Sequence, residues 1–363
     1  MTESEFIPEA YSVEISEGQV TWQSPSNIAL VKYWGKKENQ IPANPSISFT
    51  LDSCRTTTTL SFRKREKKEE VYDFELFFEG EKKESFRPKI EQFFRRIESY
   101  VPFLKDYSFR IETGNSFPHS SGIASSASGM SALALCLMSL ERKLDPKMTD
   151  NHFTRKASFL ARLGSGSACR SIEGELVSWG KHENIPGSSD LLGTRYAGEV
   201  HPSFRNYQDT ILLVDKGEKK VSSTAGHELM NGHPFAERRF EQAHENIDKL
   251  KQVFSSGDIT EFIKIVESEA LTLHAMMMTG QPYFLLMKPN TLEIISRIME
   301  FRNSSGLHPC FTLDAGANVH LLYPEAEKVQ VQKFIQEELS QFCQNGQFIH
   351  DQSGSGAKEI HKV

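Results

Sequence analysis

The stretch "SFPHSSGIASSASGM", residues 116–130, decides how the rest of the chain is read. It follows a strand-like segment, "YSFRIET", and runs from Ala124 into an apolar helical pattern ending "ALALCLMSL". A Ser- and Gly-rich loop feeding a helix points several backbone N–H groups outward at the positive end of the helix dipole. Short side chains there let phosphate oxygens approach the backbone closely. The pattern is not a P-loop, because no G-x-x-x-x-G-K-[ST] is present. Taken alone, the segment serves equally for tight helix packing or for holding an anion.

A second small-residue run, "GSGSACRS" at 164–171, sets Arg170 beside glycines and serines. Arginine offers a planar fork suited to carboxylate or phosphate. Two such runs imply an extended polyanion or two anionic ligands. A third run, "NIALVKYWGKKENQIPANPSISFTL" at 27–51, carries Asn27, Lys32, Tyr33, Trp34 and Lys36 on a strand and the turn after it. Its lysines supply the positive charge that the loops lack. In "FTLDAGANVH", residues 311–320, Asp314 ends an apolar strand. A lone Asp there is ordinarily a turn former; beside phosphate loops it becomes a candidate base.

Outward from these runs the chain alternates strands and helices. The first hundred residues hold strand patterns such as "TTTTLSF" and "YDFELFF", and the mixed-charge run "RKREKKEE" at 63–70 between them predicts a solvated hairpin loop. Ile90, Phe93, Phe94 and Ile97 recur at helical spacing, and "NHFTRKASFLARLG" predicts a helix stopping at Gly164. "DTILLVDKG" reads as a buried strand. Later segments 235–254, 258–278, 290–302 and 325–343 are helical in pattern, interrupted by the strand pair "CFTLDAG" and "NVHLLYP". Periodicity fades around 190–208, which places a division into lobes 1–200 and 201–363. The segregated strands and helices indicate an α+β fold.

Composition narrows the function. With 363 residues, 38% hydrophobic and 25% charged, the chain is long enough for a sizeable core. A formal charge of −6 gives no broad basic field, so neither nucleic acid nor an anionic membrane surface is an expected partner. The opening "MTESEFIPEA" is acidic where a signal peptide would be basic, and no apolar run reaches the ~18 residues of a span, so the cytoplasm is expected. Five scattered cysteines, Cys54, Cys136, Cys169, Cys310 and Cys343, lack C-x-x-C spacing and read as buried small hydrophobes.

With the four runs in view, the chain resembles the mevalonate diphosphate decarboxylase family of the GHMP kinase superfamily. "NIALVKYWGK" is similar to that family's N-terminal signature, "FPHSSGIASSASG" to the superfamily phosphate loop, "GSGSACRS" to the decarboxylase run and "FTLDAGANV" to the C-terminal motif. The resemblance spans about residues 25 to 325. It implies a two-lobed GHMP kinase-type fold with the site in the cleft, a homodimer, and the conversion of mevalonate 5-diphosphate and ATP, with Mg2+, to isopentenyl diphosphate. By motif position, Asp314 lies near the 3-hydroxyl as base or orienter. Arg170 grips the substrate carboxylate with help from Asn27, and Lys32 stands between Asp314 and the phosphates. Tyr33, Trp34, Gly35, Lys36, the run Ser165, Gly166, Ser167, Ala168, Cys169 and Arg170, and Ser223 with Thr224 correspond to the substrate diphosphate site. Gly122, Ala124, Ser125 and Ser126 correspond to the ATP phosphate loop. The resemblance assigns no metal ligands.

Departures from the family pattern include Pro45, Ala317 and serines in the phosphate loop, none of which removes a proposed catalytic group. Lys89 falls where the family carries a diphosphate-binding arginine, and a lysine lacks bidentate reach. The substrate could therefore be mevalonate 5-phosphate, or the enzyme a mevalonate 3-kinase. A non-catalytic binding protein on the same fold would be expected to lose Asp314 or the lysines. His274, in "LHAMMMTGQPYF", has no assigned role.

Overall fold

The computed structural model describes residues 2–67, 70–118, 123–217 and 223–361, with only the backbone of Ser223 and Thr224. Chain order gives β1 (Glu17–Val31), β2 (Ser46–Lys64), β3 (Asp73–Phe78), β4 (Glu81–Lys82), α1 (Arg87–Ile97), β5 (Tyr107–Asn115), α2 (Ser125–Leu144), α3 (Asp150–Gly164), β6 (Leu176–Trp179) and β7 (Thr194–Arg195). There follow β8 (Gln208–Leu212), α4 (Ser223–Glu228), α5 (Ala236–Ser256), α6 (Ile259–Thr279), α7 (Pro289–Ser305), β9 (Cys310–Leu313), β10 (Val319–Tyr323), α8 (Lys328–Phe334), β11 (Phe348–Gln352) and β12 (Lys358–Glu359).

Among the described residues, one sheet runs β12-β1-β2-β5-β3-β4 with β6 and β7 attached to β2, and a second runs β11-β8-β10-β9. This is the expected mixed α+β architecture. Two of the predicted details differ. The hairpin expected around 63–70 does not form: β3 lies beyond β5 and parallel to it instead of pairing with β2, and residues 68–69 of that run lie outside the described residues. Alternating strand segments show that a strand exists but not which neighbour it takes. The single helix expected over 325–343 is instead broken into a 3-10 turn, α8, a π turn at Ile335–Leu339 and a further 3-10 turn. Ile335 and Leu339 are both buried.

β1 changes character along its length. Its first half is only partly buried, while residues 24–31 are buried throughout, packed by α2 on one side and α6 on the other. Ile28, Leu30 and Val31 therefore share one apolar cluster with Ile47 and Phe49 of β2 and with Ile211, Ile247 and Phe262 of the second half of the chain. The residues that follow β1 emerge from this shared core, so their positions are set by both halves of the molecule.

The C-terminal segment ties the halves again. Asp351 in β11 accepts the backbone N–H groups of Asp52, Ser53 and Cys54 at 3.0, 2.8 and 2.7 Å, where β2 bends. Arg55, buried beside them, donates to the Ser355 and Gly356 carbonyls, and β12 then pairs with β1. With the Gln352 N–H as a fourth donor at 2.8 Å, this buried carboxylate makes bonds that no apolar residue can replace. Asp351→Ala is expected to cost about 2–4 kcal/mol and to lower Tm by several degrees in a thermal melt. An unchanged Tm would show that the bend holds without this carboxylate.

Candidate active site

The turn after β1, the start of α2, the end of α3 and the loop after β9 meet around a cleft of about 530 Å3. At its centre Lys32 Nζ lies 3.2 Å from Asp314 Oδ1, although 282 positions separate them in sequence. Lys32 is buried to 2% exposure, while the Asp314 side chain keeps 29% and faces the cleft. Burial pushes the Lys32 ammonium below the usual lysine range, opposed by the Asp314 carboxylate.

Lys32 is held at its backbone as well. Its N–H donates to Glu269 Oε2 at 2.8 Å, and its carbonyl accepts from Arg239 and from Asn44 Nδ2 at 3.1 and 2.9 Å. Glu269 also receives both terminal nitrogens of Arg239 and the Asn246 amide, all buried. Helices α5 and α6 thus fix a residue delivered by β1. Behind Asp314, His274 Nε2 donates to its backbone carbonyl at 3.2 Å, and burial lowers the ring's pKa to about 4, so it stays neutral.

Arg170 stands opposite, in the 3-10 turn Gly166–Ser171 that follows α3. Its Nε donates to Asn27 Oδ1 at 3.3 Å and its NH1 to Ser46 Oγ. Asn27 in turn donates to Ser171 Oγ and the Ser167 carbonyl. Asn27 therefore orients the guanidinium and does not itself line the cleft. Gly166 is required where it stands: a Cβ would come within 2.8 Å of the Trp179 ring and 3.0 Å of Tyr33 Oη. Ala168 and Cys169, expected at the substrate, put their side chains into the core instead, because a tight turn cannot face all its residues to one side.

The two small-residue runs come together. Ser126 Oγ donates to Ser165 Oγ at 3.3 Å, and Lys89 Nζ donates to Ser126 Oγ at 2.7 Å. Ala124 caps α2 with a left-handed backbone (φ 44°), which aims the first free N–H groups of a 20-residue helix at the cleft. Ser125, Ser126, Ser165, Ser167, Tyr33, Trp34 and Lys36 all line it. Gly35 stands at φ 90° in the turn, out of the lining. Gly122 lies outside the described residues, as do the side chains of Ser223 and Thr224.

Two groups were not anticipated. His227 in α4 accepts the Gly35 N–H through Nδ1 at 3.1 Å, with the rings of Tyr33 and Trp34 centred 4.2 and 4.9 Å away. Burial first, then the charges of Lys36 and Arg170, lower its pKa to about 3, so its proton sits on Nε2 and the ring is neutral. The motif "VSSTAGHE" contains this histidine, and nothing in its spacing reveals that it reaches the turn after β1. Arg96 also lines the cleft. The polar stripe Lys89, Gln92, Arg96 at helical spacing was available as a signal, overshadowed by the apolar face of the same helix.

The pairing of one buried lysine with one strand-end aspartate, facing a fixed arginine between two phosphate-loop-like turns, is the arrangement the sequence motifs imply. A family model for the diphosphomevalonate decarboxylase-like N-terminal domain matches residues 24–191, and one for the mevalonate 5-diphosphate decarboxylase C-terminal domain matches 210–362. The diphosphomevalonate decarboxylase of Ganoderma lucidum is 30% identical over 338 residues, covering 87% of this chain and 81% of that protein. The chain belongs to the diphosphomevalonate decarboxylase family. A solved complex of MDDEF with MVAPP, AMPPCP and magnesium superposes with a TM-score of 0.80 at 25% identity, covering 96% of this chain and all of the other. Mevalonate diphosphate decarboxylase from Staphylococcus aureus gives 0.80 at 27% identity, covering 95% and 98%. The family's two-domain fold is the one observed here.

Magnesium fits this cleft in a particular way. Among the described residues no group of three His, Cys, Asp or Glu side chains could hold a metal, and Asp314 is the sole carboxylate in the lining. Such a site suits an ion carried mainly by phosphates and water, with Ser125 or Ser126 as protein oxygen.

The Glu269 network yields a direct test. Glu269→Gln removes the charge facing buried Arg239 and weakens the tie to Lys32. The expected cost is about 3–5 kcal/mol, read as a lowered Tm, with a fall in kcat/KM even at temperatures where the variant is folded. Wild-type kcat/KM in the folded variant would show that Lys32 is positioned without Glu269.

Proposed function

We infer that this cleft carries out the family's reaction: ATP-dependent decarboxylation of (R)-mevalonate 5-diphosphate to isopentenyl diphosphate, ADP, phosphate and CO2. The observation that carries the reading is the Lys32–Asp314 pair, set opposite Arg170 and beside the start of α2.

The chemistry accounts for the residues. A tertiary hydroxyl is a poor leaving group, so the γ-phosphoryl group is first transferred to the 3-oxygen, with the hydroxyl proton going to Asp314. The C3–O bond then breaks with phosphate taking its electron pair. The bond to the carboxyl carbon breaks with its pair forming the new C=C, and CO2 leaves. Little covalent work falls to the protein; alignment of three anionic groups and stabilisation of charge carry the rate.

Asp314, lined up by Lys32 and by the His274 contact to its backbone, orients and deprotonates the 3-hydroxyl. The Lys32 ammonium, 3.2 Å away, holds the carboxylate in position for the proton it takes during phosphoryl transfer. Arg170, fixed by Asn27 and Ser46, receives the substrate carboxylate. The N-terminus of α2 with Ser125 and Ser126 receives the ATP phosphates, and Tyr33, Lys36, Ser165 and Ser167 the substrate diphosphate. When bound, magnesium supplies neutralisation of the phosphate charge. The division into lobes near residue 200, assembly as a homodimer and a cytoplasmic setting belong to the same proposal, supported by the family motifs; no helix among the described residues is long and apolar enough to cross a membrane.

Release of labelled CO2 from carboxyl-labelled mevalonate 5-diphosphate, with ATP and magnesium, tests the reading. CO2 from the diphosphate is expected; ADP without CO2 would mean a 3-kinase, and release from mevalonate 5-phosphate alone would move the substrate. Asp314→Asn is expected to lower kcat roughly 10²- to 10⁴-fold with Tm preserved, and near-normal turnover would remove Asp314 from its role.

A further inference from the structure

Helix α1 presents Lys89, Gln92 and Arg96 to the cleft, spaced three and four residues apart and so stacked along one face, while Ile90, Phe93, Phe94 and Ile97 face the core. The two cations serve different ends of the cleft. Lys89 bonds Ser126 Oγ at the first turn of α2, on the side of the helix N-terminus. Arg96 lies seven residues, about 10 Å, further along the helix axis. Its NH1 donates to the Leu163 carbonyl at 3.0 Å, in the last turn of α3 and just ahead of the Ser165–Ser167 turn.

That anchor keeps the Arg96 guanidinium in the lining of the cleft that Lys36 also lines, where, after burial, its charge disfavours the lysine's protonation. The acid acting on Lys36, Glu228, ranks behind both. Burial is what depresses Arg96. Two like charges, partly withdrawn from water and without a carboxylate bonded to either among the described residues, are an unfavourable pair unless an anion lies between them. One N–H of the guanidinium is used on Leu163, which fixes the fork and leaves further donors for a phosphate.

We propose that Arg96 and Lys36 together hold the terminal phosphate of the substrate diphosphate, and that Arg96 is the residue by which this enzyme prefers a diphosphate over a monophosphate. The proposal rests on the decarboxylase reading and deepens it. It assigns Lys89 to the nucleotide side, and it explains how a lysine can stand at that position without loss of bidentate grip: a guanidinium two turns along the same helix face provides it.

Steady-state kinetics of the full chain test this, with Arg96→Ala, Arg96→Lys and Lys89→Ala assayed on mevalonate 5-diphosphate and mevalonate 5-phosphate. Arg96→Ala is expected to raise KM for the diphosphate roughly 10- to 100-fold and to cut the diphosphate preference in kcat/KM by a similar factor, with KM for ATP within about twofold. Arg96→Lys, which keeps charge and a donor for Leu163, should fall between. Lys89→Ala should move KM for ATP more than KM for the diphosphate. An unchanged diphosphate KM in Arg96→Ala, or a rise confined to ATP, overturns the proposal. If Arg96→Ala does not fold, a wild-type diphosphate KM in Arg96→Lys overturns it. Wild-type protein that turns over neither substrate would sink the decarboxylase reading instead. Calorimetric titration of wild type and Arg96→Lys with inorganic pyrophosphate then still reads this subsite, and equal affinities count against it.

Discussion

The burial of Lys32 is the constraint from which the arrangement of the cleft follows. An ammonium taken out of water is costly unless paired and hydrogen-bonded, and here it is 2% exposed with Asp314 as its partner. The pair alone would leave a strand end free to drift. Its backbone N–H and carbonyl are therefore held by Glu269, Arg239 and Asn44, side chains from α6, α5 and the loop before β2. Strand β1 brings the lysine, β9 delivers the aspartate, and two helices hold the crossing point. Displacing any one of these elements would expose a charge without its counter-charge, so the site and the packing between the two halves of the chain are one structure.

The anion-binding side uses the opposite device, keeping side chains small so that backbone and hydroxyl groups face the ligand. At Gly166 the rings of Tyr33 and Trp179 already occupy the space a Cβ would need. At Ala124 a left-handed residue turns the chain into α2 and leaves its first amides open. Aromatic bulk from one motif thus fixes why another motif must be small. His227 completes the contact by accepting the Gly35 amide while remaining neutral among cations.

Much of this was legible in the sequence because the motifs carry their own chemistry. Asp314 at a strand end, Arg170 among glycines and the Ser-rich start of α2 each report a local backbone requirement, and each lines the cleft. What was not legible depends on partners distant in sequence. Nothing local to Glu269 or Arg239 marks them as the support of Lys32, since a charged pair inside amphipathic helices looks the same whether it faces solvent or a strand. The parallel placement of β3 beyond β5 was hidden for the same reason: alternation specifies faces, not neighbours. Ala168 and Cys169 were expected at the substrate and have their side chains buried away from the cleft lining, because a tight turn divides its residues between ligand and core.

Among the described residues the cleft gathers five cations, Lys32, Lys36, Lys89, Arg96 and Arg170, against a single carboxylate, in a chain whose formal charge is −6. Each is anchored differently. Lys32 is neutralised by Asp314, Arg170 is fixed by Asn27 and Ser46, Lys89 leans on Ser126, and Arg96 hangs from the end of α3. Four cations besides Lys32 thus face the cleft, spread from the start of α2 to the turn after β1. A triphosphate, a diphosphate and a carboxylate bring more negative charge than that, which leaves room for a divalent ion on the phosphates without any protein cage. The protein's share of catalysis is then geometric: it holds three mutually repelling anions close enough to react, and the fixed anchors keep its cations from following the ligands as charge moves.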